Sequence, residues 1–386
     1  SHSFQIQEFR RPEYEVTARN ETSGPYLVGG SAQVAVDARY YAGGGLPNAD
    51  VTWSVTSTPG SYSPPNWPDF VFGEWQPWWW EFNPYGEHST TEVFTGQTDA
   101  SGTHILQLDF NRQGQAGANP RPISVTALAT VMDINRQAWS SSTSLLVHPA
   151  ELYIGLRSER YFVERGTPIK VSFIVTDLDG NPVADRPVLI TAARLEWKYQ
   201  NGAWGQNEVD LQKCEQVSAS EPGTCTFETP LGGSYRITAT VLDDRERVNQ
   251  TRLTRWVSGG QQPQSRTLEQ EEVTLIPDKE SYQPGDTAKI LVQSPFTPAE
   301  GLLTVSRSGF LSSTRFTLKD GSTVLEVTIL DAHIPNLVVQ VDLVGAAPRT
   351  SDTGEPLAGA VPRPAFATAQ LNLSIPPVRR TLSLQV

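Results

Sequence analysis

The chain has 386 residues, 38% of them hydrophobic, with 30 glycines, 29 prolines and a net charge of −12. That length holds about two to four domains with ordinary cores, and the acidity offers no basic face for phosphates, which argues against nucleic-acid binding. No apolar run approaches the roughly 18 residues of a membrane-spanning helix.

Taken in order, residues 4–9 alternate apolar and polar, then Arg10-Arg11-Pro12 breaks the run, since proline cannot donate to a ladder. Ser1-His2-Ser3 leads straight into that run, so the sequence reads as a mature region or a piece of something longer. Residues 14–18 resume as a strand. Then comes a phrase that the chain writes three times: an aromatic residue, a glycine turn and an alternating strand. The glycines are Gly29, Gly166 and Gly285. The strands behind them carry Val34, Val36 and Ala38, then Ile169, Val171, Phe173 and Val175, then Ala288, Ile290 and Val292. A period near one domain length means tandem copies of one β-module. Short alternating runs between Gly and Pro turns predict all-β sandwiches.

Residues 57–90 interrupt the first module with six prolines and Gly60 as breaks and a dense run of rings, Trp67, Phe70, Phe72, Trp75, Trp78, Trp79, Trp80, Phe82 and Tyr85 among them. This is too aromatic for disorder and too irregular for strands. Trp75, Trp78, Trp79 and Trp80 could form a stacking platform for a carbohydrate or peptide; the favoured reading is that the rings anchor the insertion on its own module. Strands return at 105–108 and 123–128, and residues 145–149 close the module.

The second module contains the turn Asp177-Leu178-Asp179-Gly180-Asn181-Pro182. Asp177, Asp179 and Asn181 begin like a calcium loop, but no glutamate follows at the twelfth position, so a solvated turn is expected. Cys214 and Cys225, the chain's two cysteines, flank Glu221-Pro222-Gly223. A Pro-Gly turn there can bring two strands together, which favours a disulfide over two reduced thiols and with it an oxidising compartment. Residues 258–265 read as a polar linker and 345–364 as an aperiodic Ala/Gly/Pro segment. The expected division is 1–148 with the insertion at 57–90, 149–258, a linker at 259–271, and 272–386.

Catalytic chemistry is not expected. His2, His88, His104, His148 and His333 are scattered without metal-ligand spacing. There is no nucleophile elbow, phosphate loop or zinc helix motif. Hence no enzyme, metal or cofactor is assigned.

Three further phrases carry a resemblance: residues 4–16, residues 40–51 around Gly43-Gly44-Gly45-Leu46-Pro47, and residues 277–286 followed by Ser294-Pro295-Phe296. In that order and spacing they resemble the bacterial α2-macroglobulin family. The resemblance implies tandem seven-stranded antiparallel sandwiches of the macroglobulin, fibronectin type III-like kind, the last opening the pair of domains that carries the bait region. It implies a scaffold fragment of a broad endopeptidase inhibitor that traps proteases after bait cleavage. The partners would be target endoproteases, met by the full-length protein, and neighbouring macroglobulin domains, in the periplasm or outside the cell. Any membrane anchor would lie in a part of the chain not present here. The family's thioester pattern is Cys-x-Glu-Gln. Cys214-Glu215-Gln216 lacks one residue and lies in a β-module, so it is rejected. A bait must be extended and reachable; residues 349–369 fit, with Arg349 and Arg363 as cleavage points, although Pro348, Pro362 and Pro364 flank them and an ordinary loop is the favoured reading. The competing function is an extracellular adhesion or carbohydrate-binding array using the tryptophan insertion.

Overall fold

A computed structural model describes residues 13–79, 89–110, 120–200, 203–260, 271–349, 351, 357 and 359–377, with side chains at 197–204 and 271–272 left aside. The expectations at residues 4–12, Trp80, Phe82, Tyr85, His2, His88 and most of the linker lie outside them.

The described chain forms three sandwiches, each of seven long strands in antiparallel pairs. In the first, Tyr14–Asn20, Ser31–Tyr40 and Thr103–Asp109 form one sheet, with Ser31–Tyr40 at its centre. The facing sheet runs Ala138–His148, Ile123–Met132, Asp50–Pro59, Thr90–Gln97. In the second, Gly223–Phe227, Ile169–Thr176 and Tyr153–Arg157 face Val248–Val257, Gly233–Leu242, Pro187–Gln200 and Ala203–Val217. In the third, Thr274–Pro277, Thr287–Gln293 and Ser322–Thr328 face Arg363–Ser374, Asn336–Ala347, Ala299–Ser306 and Phe310–Leu318. Each larger sheet gains a two-residue parallel strand at one edge: Tyr26–Leu27, Phe162–Val163 and Glu271–Glu272. The all-β expectation is borne out.

The repeated phrase does the same physical work in every copy. Gly29, Gly166 and Gly285 have φ of 85, 86 and 98°, a region that costs an L side chain strain. Their N–H groups donate to the carbonyls of Phe110, Thr229 and Ile329 at 2.6, 2.9 and 2.9 Å. Each acceptor lies one or two residues beyond the end of a strand that pairs with the strand following that glycine. The alternating residues behind the glycines are all buried and lie in three separate cores. Period-2 alternation sends them inward because successive strand side chains point to opposite faces.

Two expectations change. The aperiodic segment is shorter than 345–364, because Asn336–Ala347 and Arg363–Ser374 pair along their whole length. And the insertion rests on its own module through its periphery, by Gly60 N–H to Pro122 O (2.8 Å), the Tyr62 ring 4.7 Å from His148 and a Glu74–Arg121 ion pair; none of its described residues joins the first core. Most of its described rings, Trp67, Phe70, Phe72, Trp75 and Trp79 among them, cover the second sandwich instead.

Candidate functional site

Two surfaces stand out. The first is the connection 348–362 in the third sandwich. Ala347 pairs with Arg363, so the loop leaves and re-enters the sheet at adjacent points. Among its described residues, Leu357 N–H donates to Arg349 O (2.7 Å), Arg349 Nε to Val361 O (3.1 Å) and Ala360 N–H to Leu357 O (3.2 Å). Arg349 is exposed, and Val361 reaches 78% exposure. Residues 350, 352–356 and 358 lie outside the described set. At the loop's base Val344 and Phe366 form an exposed cross-strand pair.

The two arginines singled out in the sequence differ here. Arg349 sits in the loop. Arg363 opens a strand, is half-buried, and precedes Pro364. Residues 363–369 belong to the ladder, where backbone N–H and C=O groups are already engaged, so a protease would have to unzip them first.

The second surface is the aromatic insertion. Trp75 and Trp79 stack on residues far away in sequence. Ring centroids lie 5.2 Å apart for Trp75–Tyr161 and for Trp79–Tyr161, and 6.1 and 6.0 Å for Trp75–Trp256 and Trp79–Trp256. The buried guanidinium of Arg255 lies 4.7 Å from the Trp75 ring and 5.3 Å from Tyr161. Burial pulls its pKa down to about 10, and the two ring faces supply the attraction that burial removes. Trp78 packs its ring 5.3 Å from Trp79 and is the exposed one of these three. Trp80 lies outside the described residues. A stacking platform must offer faces to solvent; Trp75 and Trp79 have theirs covered.

The remaining candidates resolve as structure. Cys214 and Cys225 form a disulfide. It joins the edge strands Ala203–Val217 and Gly223–Phe227 of the two facing sheets and so clasps one side of the sandwich. With its sulfur so engaged, Cys214 has no thiol for a thioester; Gln216 Nε2 approaches that sulfur at 3.8 Å. Asp177 Oδ1 accepts from the N–H groups of Asp179 and Asn181 at 2.9 and 2.8 Å, which closes the turn on itself. Among the described residues no group of three or more His, Cys, Asp or Glu could hold a metal, and no helix is long and apolar enough to cross a membrane. His104, His148 and His333 lie in separate places, the pKa of each lowered by burial.

One pair of turns was readable and missed. Ala129-Thr130-Val131-Met132-Asp133 and Ala239-Thr240-Val241-Leu242-Asp243 are equivalent hairpin ends. Asp133 and Asp243 accept from the N–H of Gln137 and Arg247 at 2.8 and 3.0 Å. Burial alone would raise the Asp243 carboxyl; the N–H groups of Glu151 and Arg247 and the Arg247 guanidinium outweigh it and hold the pKa low.

Residues 273–386 match the family described as the alpha-2-macroglobulin bait region domain. The chain is 22% identical over 357 residues to an alpha-2-macroglobulin homolog of Nostoc sp., a match covering 89% of this chain and 18% of that protein. It is 28% identical over 263 residues to circularly permutated Ras protein 2 of Dictyostelium discoideum, covering 63% of this chain and 6% of that one. A solved structure of trypsin-activated alpha-2-macroglobulin from Escherichia coli aligns with 95% of this chain and 24% of its own, at 18% identity and a TM-score of 0.44. The chain thus spans under a fifth of the curated relatives it matches.

Proposed function

On the premise that this is a chain of the bacterial α2-macroglobulin family whose third sandwich is the bait region domain, we propose that it is a non-enzymatic scaffold segment of a protease trap and that loop 348–362 is its bait. The observation that carries the reading is positional. The longest connection between consecutive strands of the third sandwich lies within the 273–386 match, and its described residues Arg349, Leu357 and Val361 are exposed. Its prey would be endoproteases, met in the periplasm or outside the cell, where a disulfide persists.

The topology suggests what a cut would do. Strand Arg363–Ser374 pairs along its whole length with Asn336–Ala347 on one side; on the other, among the described residues, it meets Glu271–Glu272 and, at its far end, the Ser281–Ser374 bridge. Severing 348–362 removes the covalent link between the two long strands and leaves the ladder to hold the downstream one. A strand held that way at a near-edge position can peel, whereas an uncut hairpin re-zips.

The test is limited digestion with several unrelated endoproteases, the first cut being located by mass spectrometry. Early cleavage inside 348–362 is expected, with Arg349→Gln suppressing the trypsin-type cut. First cuts in other connections, with 348–362 intact, overturn the bait assignment. In the full-length parent, cleavage should block activity on large but not on small substrates. The adhesion or carbohydrate reading has Trp78 as its exposed ring; glycan binding lost in Trp78→Ala, together with resistance to all proteases, would favour it instead.

A further inference from the structure

None of the insertion's described residues joins the core of the module that carries it, yet they follow a defined path. It leaves between strands Asp50–Pro59 and Thr90–Gln97, which pair directly, Ser57 opposite Thr90. A hairpin closing there needs only a short turn. The residues between therefore serve something else.

Most of 60–79 docks on the second sandwich, while Gly60, Tyr62 and Glu74 also keep contacts to Pro122, His148 and Arg121 of the first. The Tyr62 hydroxyl donates to Leu178 O, and Trp67 Nε1 to Gly180 O at 3.0 Å. The turn read in the sequence as solvated is the seat of this segment: a Cβ on Gly180 would lie 2.1 Å from Pro65 O, so only glycine permits the approach. Val71–Phe72 pairs antiparallel with Leu156 and Gly155, capping the exposed edge of strand Tyr153–Arg157. An uncapped edge is a site for unwanted pairing. Phe70 and Phe72 bury against Tyr153 and Ile174. Next, Gly73 N–H donates to Thr251 Oγ1 (2.9 Å), Arg252 N–H to Gly73 O (2.8 Å) and Trp75 N–H to Arg252 O (3.0 Å).

The end of this path is the contact between the second and third sandwiches. There Tyr161, Phe162 and Trp256 of the second meet Ile276 and Leu291 of the third, with Trp75 and Trp79 packed among them. Trp79 also touches the third core. Polar contacts across the junction among the described residues include Tyr161 N–H to Asp278 O (3.0 Å), Gly259 N–H to Ser322 Oγ (2.8 Å), a Tyr161–Glu280 side-chain hydrogen bond and a 3.9 Å Lys289–Glu164 pair.

We infer that residues 60–79 are a strap by which the first module fixes the orientation of the third relative to the second, Trp75 and Trp79 being the wedge and Arg255 the cation that Trp75 covers. The inference stands whether or not loop 348–362 is ever cut.

The decisive experiment replaces residues 60–88 with Asn-Gly. Spin labels go on Lys170→Cys and Lys319→Cys, exposed positions on the second and third sandwiches, in a chain whose native cysteines are both in the disulfide. The strap-less chain should show an inter-label distance distribution at least about twice as broad as the parent's. Trp75→Ala with Trp79→Ala should broaden it too, and Trp139→Ala, an exposed ring on the first module away from the junction, should not; these variants decide the matter if the excised chain fails to fold. An unchanged distribution in the excised chain or the Trp75/Trp79 pair overturns the strap, as does equal broadening from Trp139→Ala.

Discussion

Gly155→Ala should lift the strap without touching it. Gly155 lies in strand Tyr153–Arg157, and an ideal Cβ there would sit 2.7 Å from Phe72 Cζ, 2.8 Å from its Cε1 and 3.1 Å from Phe70 Cβ. Its φ is not in the left-handed region, so alanine suits the backbone and on its own would stabilise the strand by about 0.5–1 kcal/mol. The clash falls wholly on the strap. Overpacking of this kind costs about 1–3 kcal/mol, which shifts the strap's opening equilibrium by roughly 5- to 150-fold. Hydrogen exchange reads it at the Gly73 and Trp75 amides, whose acceptors are on strand Val248–Val257. Gly223→Ala is the control. Its Cβ would lie 2.4 Å from Phe173 Cζ, inside the second core, so it should destabilise the sandwich without selectively freeing the strap. Parent-like protection of both amides in Gly155→Ala would refute the reasoning, as would an equal selective loss in Gly223→Ala.

At Gly166 and Gly285 no atom lies within 4 Å of a built Cβ, so Gly166→Ala and Gly285→Ala should each cost only backbone strain, about 1–2 kcal/mol by urea unfolding; a larger loss would mean hidden packing. The disulfide closes a loop of sequence separation 11, so Cys214→Ala with Cys225→Ala should destabilise the second sandwich by about 2–3 kcal/mol, and calorimetry showing no change would contradict it. His104 Nδ1 accepts from Trp53 Nε1 at 3.1 Å and its pKa is lowered by burial. Below about pH 6.5 the unfolded chain takes up a proton that the folded one resists, so stability from this site should be flat above that pH and fall below it. Tryptophan fluorescence during urea unfolding at pH 7.5 and 5 should show the fall, and His104→Gln should reduce it.

What the sequence made legible was whatever repeats locally. Val34, Val36 and Ala38, and their counterparts in the other two modules, lie where alternation sends them, and the glycine turns close as their spacing implies. The wrong destination for the insertion came from treating each module as a closed unit. A signal against that was present. Ile174 falls out of phase between Phe173 and Val175, and Leu291 between Ile290 and Val292. A strand apolar on both faces is covered on both faces, and Ile174 and Leu291 are indeed buried on the outer side, one under Phe70 and Phe72, the other beside Trp75 and Trp79. What no single strand could disclose is which distant segment does the covering, since that depends on how one module lies against the next.

The two surfaces occupy opposite sheets of the third sandwich, and this bears on how a trap of this design would respond to cleavage. Ile276 and Leu291, which meet the wedge, belong to the three-stranded sheet. Loop 348–362 connects two strands of the five-stranded sheet. A cut there removes a covalent closure from one sheet while leaving the other packed on Tyr161, Trp256 and the strap. In the proposed function the loop is expendable and the junction is not. Cleavage would then loosen strand Arg363–Ser374 and whatever follows it, while the first three modules keep their relative positions as a stiff section of wall. The two sheets are nevertheless joined through one core, with Leu371 and Leu373 of the loosened strand buried in it. Peeling is therefore opposed by about 1.5–3 kcal/mol for each such side chain exposed, so a cut alone should free the loop's ends and leave the ladder closed until the downstream chain pulls on it.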